Sequence, residues 1–146
     1  MALKKKGTYW YGSTLDDLKG EIVRFSKLNG YEAAKFSAST CKCLNLSFRL
    51  ETDEEEGASR RVCTACGAIH LMGDSADYAN NAKFVRHECV CEAETFRLLS
   101  GVALYEGTND IRWYYIGCHC TVCQLVGVFA HWKSEAGNAE TFLAET

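Results

Sequence analysis

Residues 41–50 read CKCLNLSFRL and residues 89–98 read CVCEAETFRL. Both stretches open on a C-x-C pair, and both end on Phe-Arg-Leu at the same offset from that pair. Each is followed at a distance by a C-x-x-C pair, at residues 63–66 and then at 120–123. The chain therefore carries two copies of one cysteine pattern, and we predict internal repeats over about residues 36–73 and 84–132.

The two patterns together contain eight cysteines, the number and type of ligand that two tetrahedral zinc ions require. The predicted cofactor is therefore zinc, two ions per chain. Iron in a four-thiolate centre takes the same ligands, so the spacing leaves zinc versus iron open, and it also leaves open pairing within or across the repeats. The predicted metal ligands are Cys41, Cys43, Cys63, Cys66, Cys89, Cys91, Cys120 and Cys123.

Alternating apolar residues predict a β-hairpin in each repeat. In the first, strands around Phe48–Leu50 and Val62 flank a polar loop at 52–59. In the second, strands at 95–105 and 111–118 flank a turn at 106–110. A hairpin brings its first and last residues together, so the C-x-C pair of each repeat should face the C-x-x-C pair of the same repeat.

The main helix is predicted over about residues 13–29, where apolar residues recur at intervals of three and four. Ser13 is the expected N-cap, with Asp16 reaching back to it, and Gly30 stands where a left-handed helix end belongs. We expect this helix to cover a face of the sheet. Further along the chain, we predict a polar linker at 74–86, a strand at 125–132 and a short terminal helix opening at 138–141.

These elements predict a mainly β (α+β) fold, built from two related zinc-binding β-hairpin lobes with an N-terminal covering helix. The length of 146 residues suits a single compact domain over 1–146. The hydrophobic fraction of 47% and the aromatic fraction of 12% are those of a folded protein.

Charge and hydropathy bound the partners and the compartment. The net charge of −3 makes nucleic acid an unlikely partner, because phosphate binding needs a basic face. The run Lys4–Lys6 is interpreted as a solvated tail. We expect a cytoplasmic protein with no membrane partner, since the sequence has no secretory signal pattern and no apolar run of membrane-spanning length. A reducing compartment in turn favours metal ligation over disulfides.

Cys118, the ninth cysteine, falls outside the repeated pattern and makes residues 118–123 read CHCTVC. As a residue of a predicted strand, it is interpreted as a small buried hydrophobe. The alternative makes Cys118 a ligand of an open zinc site, with His131 as the candidate general base. Redox cycling of the C-x-x-C pairs is disfavoured, because that motif usually opens a helix rather than a hairpin.

The C-x-C of Cys89 and Cys91, with Phe96 five residues on, and the later C-H-C-x-x-C block resemble the glutathione-dependent formaldehyde-activating enzymes. That family has a small β-rich fold with two zincs bound through cysteines. The resemblance implies an open catalytic zinc site at Cys118, Cys120 and Cys123, and a closed site that includes Cys89 and Cys91.

The sequence lacks paired carboxylates, a nucleophile–base dyad and a phosphate-binding loop, which argues against an enzyme. We therefore predict a small zinc-binding module with two structural four-cysteine sites whose partner is a protein. The alternative is a zinc-dependent carbon–sulfur lyase acting on a glutathione or small-thiol adduct.

Overall fold

The computed structural model describes residues 3–146 of the chain. Within that range there are ten strands and two α-helices, with a single 3-10 turn at Ser75–Asp77. The strands are β1 (Lys4–Lys6), β2 (Tyr9–Tyr11), β3 (Lys35–Ala38), β4 (Phe48–Asp53), β5 (Ala58–Cys63), β6 (Ile69–Leu71), β7 (Val85–Arg86), β8 (Phe96–Leu104), β9 (Ile111–Cys120) and β10 (Leu125–Lys133). The helices are α1 (Leu15–Asn29) and α2 (Ala139–Leu143).

All strand pairings are antiparallel, and the strands follow the order β1-β2-β10-β9-β8-β4-β5-β6. β3 pairs with β8, and β7 pairs with β4. The predicted hairpins are β4–β5 and β8–β9, which confirms the mainly β fold class. They join at one pair, Phe48 opposite Phe96, which are the phenylalanines of the two Phe-Arg-Leu stretches.

The long strands β8, β9 and β10 separate two hydrophobic cores. On one face, buried residues of β4 and β5, such as Phe48 and Leu50, pack with Tyr114 and Ile116 of β9. On the other face, α1 packs against β9 and β10. Because side chains alternate along a strand, Tyr115 lies on the α1 face while its neighbour Tyr114 lies on the hairpin face.

Helix α1 covers the sheet with Leu18 and Ile22, both fully buried. Its N-cap is Thr14 and not Ser13, because the Thr14 hydroxyl accepts from the N–H of Asp17 and the Asp17 carboxylate accepts from the N–H of Thr14. The predicted capping box is therefore displaced by one residue. Gly30 ends the helix in the left-handed conformation, with φ of 88°, as predicted.

Two N-terminal strands were not predicted. Lys4–Lys6, interpreted as a solvated tail, pairs with Tyr9–Tyr11 as a hairpin that adds to the edge of β10. The three lysines are exposed, as expected for a solvated segment. The strand was not predicted because three consecutive lysines show no alternation of apolar and polar residues. In the described range 3–146, neither helix has the length and apolar character needed to cross a membrane.

Candidate metal centres

The first cysteine cluster lies at the open end of the β4–β5 hairpin. Cys41 Sγ lies 3.6 Å from Cys66 Sγ, and Cys43 Sγ lies 3.6 Å from Cys63 Sγ. All four sulfur atoms lie within 4.8 Å of one another. The structure thus brings together the C-x-C and C-x-x-C pairs of the same repeat.

Local backbone turns produce this convergence. After Cys41 the chain reverses, since the N–H of Leu44 donates to the Cys41 carbonyl and the N–H of Cys41 donates to the Asn45 carbonyl. Leu44 adopts a φ of 73°, which lets the turn close directly after the C-x-C segment. At the other side, Cys63 ends β5 directly opposite Phe48.

The Cys63 sulfur is surrounded by hydrogen-bond donors. It accepts from the N–H groups of Ala65 and Cys66 at 3.4 Å each and from Asn45 Nδ2 at 3.3 Å. The hydrogen bond from the Cys66 N–H, together with that from Asn45, outweighs the effect of burial and lowers the pKa of the Cys63 thiol to about 5. These donors stabilise a thiolate, the form in which cysteine binds a metal.

The second cluster lies at the open end of the β8–β9 hairpin and has the same construction. Cys89 Sγ lies 3.6 Å from Cys123 Sγ, and Cys91 Sγ lies 3.6 Å from Cys120 Sγ. These four sulfurs also lie within 4.8 Å of one another. Cys120 ends its β-ladder opposite Phe96, as Cys63 does opposite Phe48.

The main-chain geometry of the two clusters corresponds residue by residue. Glu92 has a φ of 73°, as Leu44 does, and the N–H of Glu92 donates to the Cys89 carbonyl. The N–H groups of Val122 and Cys123 donate to Cys120 Sγ at 3.4 and 3.5 Å. We call the two groups the first tetrad (Cys41, Cys43, Cys63, Cys66) and the second tetrad (Cys89, Cys91, Cys120, Cys123).

Both tetrads fit a tetrahedral metal ion. Zinc–sulfur bonds of about 2.3 Å place tetrahedral sulfur atoms roughly 3.8 Å apart. In each tetrad two sulfur pairs lie 3.6 Å apart, close to that edge length. Each tetrad supplies four sulfur donors and mixes buried with exposed cysteines, so the sites are positioned to hold a metal close to the protein surface.

Cys118 lies outside both tetrads. It is fully buried in the core between the hairpins, where burial raises the pKa of its thiol well above the usual value. His131, the other residue of the predicted enzyme alternative, lies opposite Tyr115 on the α1 face. Strand alternation places Cys118 on the opposite face of the sheet, so the structure does not bring these two residues together.

His131 is held by aromatic neighbours. Its Nδ1 accepts a hydrogen bond of 3.0 Å from the indole N–H of Trp113, and its ring packs edge-to-face on Phe25, with centroids 5.0 Å apart. The ring also stacks with Tyr115 at 5.9 Å. These contacts describe a packed histidine between α1 and the sheet.

Sequence reasoning missed Asn45. Besides Cys63 Sγ, its Nδ2 donates to the Ser47 carbonyl at 2.7 Å and so ties the C-x-C turn to the start of β4. The sequence gives little indication of this role of Asn45, because the corresponding residue of the second copy is Ala93.

This chain was compared with family models, with curated proteins and with solved structures. None of the three comparisons finds a match to this chain.

Proposed function

We propose that the chain binds one zinc ion in each tetrad and that the two ions act structurally. They stabilise the fold of a small module that binds another protein. The observation that carries the proposal is the convergence of four sulfurs in each tetrad, with backbone N–H groups directed at Cys63 and Cys120. Four protein donors complete a tetrahedral zinc site and leave no position for water or substrate.

The surfaces next to the tetrads support a protein partner. Leu44, which follows Cys43, is 80% exposed, and Val122, between Cys120 and Cys123, is 68% exposed. Val90, between Cys89 and Cys91, is also exposed. Apolar side chains held on rigid turns are suited to a protein interface. The net charge of −3 also favours a protein over a nucleic acid.

Metal analysis of protein purified without chelator tests the metal assignment. We expect two zinc ions per chain. Fewer than one tightly bound ion would contradict the proposal, and a visible iron–sulfur absorption band would replace zinc by iron.

Chelation tests the structural role. Closed zinc sites contribute on the order of 10 kcal/mol of binding free energy coupled to folding, comparable to the net stability of a domain. A strong chelator at neutral pH should therefore abolish the cooperative thermal transition. An unchanged transition after proven loss of both metals would show that the ions are not structural.

The alternative function, a zinc-dependent carbon–sulfur lyase, requires an open metal position. Assay of the zinc-loaded protein with the glutathione–formaldehyde adduct should give no turnover. Turnover that is lost in Cys118→Ser, with the fold intact, would favour the enzyme over the binding module.

A further inference from the structure

A cavity of about 230 Å³ lies away from the tetrads, between the β4–β5 turn, the segment after β6 and the end of β10. No cysteine lines it, and Lys133 is its single basic lining residue. We call it the acidic cavity, because five carboxylates line it: Glu54, Glu55, Glu56, Asp74 and Glu135.

Trp132 supplies a second and independent feature of the acidic cavity. The residue is only 9% exposed and packs edge-to-face on Tyr114, with ring centroids 5.4 Å apart. Its indole N–H donates to no protein group within residues 3–146, and it is not among the fully enclosed polar atoms without a partner. Solvent therefore reaches this N–H, and an acceptor on a bound ligand would replace water there.

Gly57 leaves that indole edge uncovered. A Cβ atom at position 57 would lie 3.4 Å from Nε1 of Trp132, in direct contact with it. Gly57 and Trp132 both line the acidic cavity, so Nε1 of Trp132 lies beside a residue of the cavity wall. A ligand in the cavity would therefore meet one free donor as well as the carboxylates.

The carboxylates are too dispersed for a small divalent cation. Among the described residues, the only groups of three or more potential ligands that converge within 4.8 Å are the two cysteine tetrads. Calcium and magnesium need several oxygen atoms at 2.0–2.6 Å from one centre. A flexible organic cation, which interacts with separated carboxylates, fits this distribution better.

We propose that the acidic cavity binds a lysine- or arginine-containing segment of a partner protein. The cationic side chain lies among the carboxylates of the β4–β5 turn, and a main-chain carbonyl of the segment accepts the indole N–H of Trp132. Tyr78, which lines the cavity and is 44% exposed, offers a ring face to the cation. This assignment goes beyond the proposed function, and it depends on that function only because the fold must be metal-loaded.

The direct test uses zinc-loaded protein and a fluorescent peptide, acetylated and amidated, with the sequence Ala-Lys-Ala-Lys-Ala-Lys. Anisotropy titration should show binding that weakens between 50 and 300 mM salt. Glu55→Gln and Glu56→Gln should each weaken it about two- to fivefold, the range of a surface ion pair. Glu32→Gln, which removes an exposed carboxylate outside the cavity, is the matched control and should leave affinity unchanged.

A second test isolates the indole N–H. Trp132→Phe keeps an aromatic ring and should weaken the peptide about three- to tenfold, the value of one hydrogen bond. Spermine, whose protonated amines have no acceptor, should bind the variant as it binds the wild type. The ¹⁵N-labelled wild type gives an independent readout, since the Trp132 indole resonance should shift with peptide and the Trp10 resonance should not.

Several outcomes would overturn the proposal. A peptide affinity that does not change with salt, or that is equal in Glu55→Gln and Glu32→Gln, would show that the peptide does not bind at the acidic cavity. An unmoved Trp132 indole resonance would remove the carbonyl contact. Dimerisation of the chain that Glu55→Gln abolishes would make the occupant a second copy. Zinc content measured in every variant separates these failures from loss of the metal-dependent fold.

Discussion

The position of Cys118 leads to a quantitative prediction for Cys118→Ser. The side chain is fully buried in the core between the hairpins, so the serine hydroxyl would be enclosed in apolar surroundings. A buried hydroxyl without a partner costs about 1–3 kcal/mol. We expect a loss of about 2 kcal/mol, which lowers the melting temperature by roughly 6 °C in a chain of this size.

The metal content should not change in this variant, because Cys118 lies outside both tetrads. The assay is therefore double: thermal unfolding followed by circular dichroism with stoichiometric zinc, and metal analysis of the purified variant. Cys118→Ala, which introduces no hydroxyl, should be closer to the wild type in stability. Cys120→Ser is the control that should release one metal.

Loss of one metal equivalent in Cys118→Ser would refute this reasoning. It would mean that Cys118 is itself a zinc ligand, as in the open site of Cys118, Cys120 and Cys123 that the resemblance to the formaldehyde-activating family implies. A melting temperature unchanged in Cys118→Ser would instead show that the core accommodates a hydroxyl and that the burial argument overstates its cost.

Three further predictions follow from particular contacts. Cys43→Ser and Cys63→Ser should each release the same single zinc, and the double mutant should release no more, as read by metal analysis; release of both metals by either single mutant would contradict separate tetrads. Burial raises the pKa of Glu51, but hydrogen bonds from Arg60 and Arg86 outweigh this effect and hold the pKa below its usual value. The contribution of Glu51 to the free energy of unfolding is therefore present above the pKa of the unfolded state and is lost as the pH falls through the pKa of the folded state. Glu51→Gln should therefore cost about 1–2 kcal/mol near pH 7 in urea titrations of the zinc-loaded protein, and a neutral effect there would contradict the ion pairs. Finally, Gly117→Ala places a methyl 2.5 Å from Ile22 Cδ1 and should cost about 1–3 kcal/mol by urea denaturation with both metals retained; a neutral effect would show that α1 can shift.

The sequence predicted the hairpins, the long strands and the helix because each carries a periodic apolar pattern. Leu18 and Ile22 repeat at helical spacing, and Tyr114 and Tyr115 alternate across β9. The helix cap was displaced by one residue, since Ser13 and Thr14 are both good caps and only the position of Asp17 distinguishes them. The short strands β1 and β6 have too few residues to show a period.

The cysteine spacing predicted which residues converge, because a hairpin joins its own ends. It did not predict the acidic cavity. Glu54–Glu56 read as an ordinary polar turn, and their proximity to Trp132 depends on how the β4–β5 hairpin packs over β10. Such contacts between distant segments have no local pattern. The extent of the two repeats, the metal identity and the partner stay predictions.

The left-handed turns of the tetrads bear on how the chain would respond to selection for stability. The same backbone position has φ of 76° at Gly67 in the first tetrad and 71° at Gln124 in the second. A non-glycine residue in this region costs about 1 kcal/mol or more. Leu44 and Glu92 carry the same cost, and Leu44 is largely exposed, so its side chain returns little packing energy. Directed evolution for thermostability should therefore recover glycine at position 44 and not at 124, where Gln124 Oε1 lies 3.2 Å from Nε2 of His119.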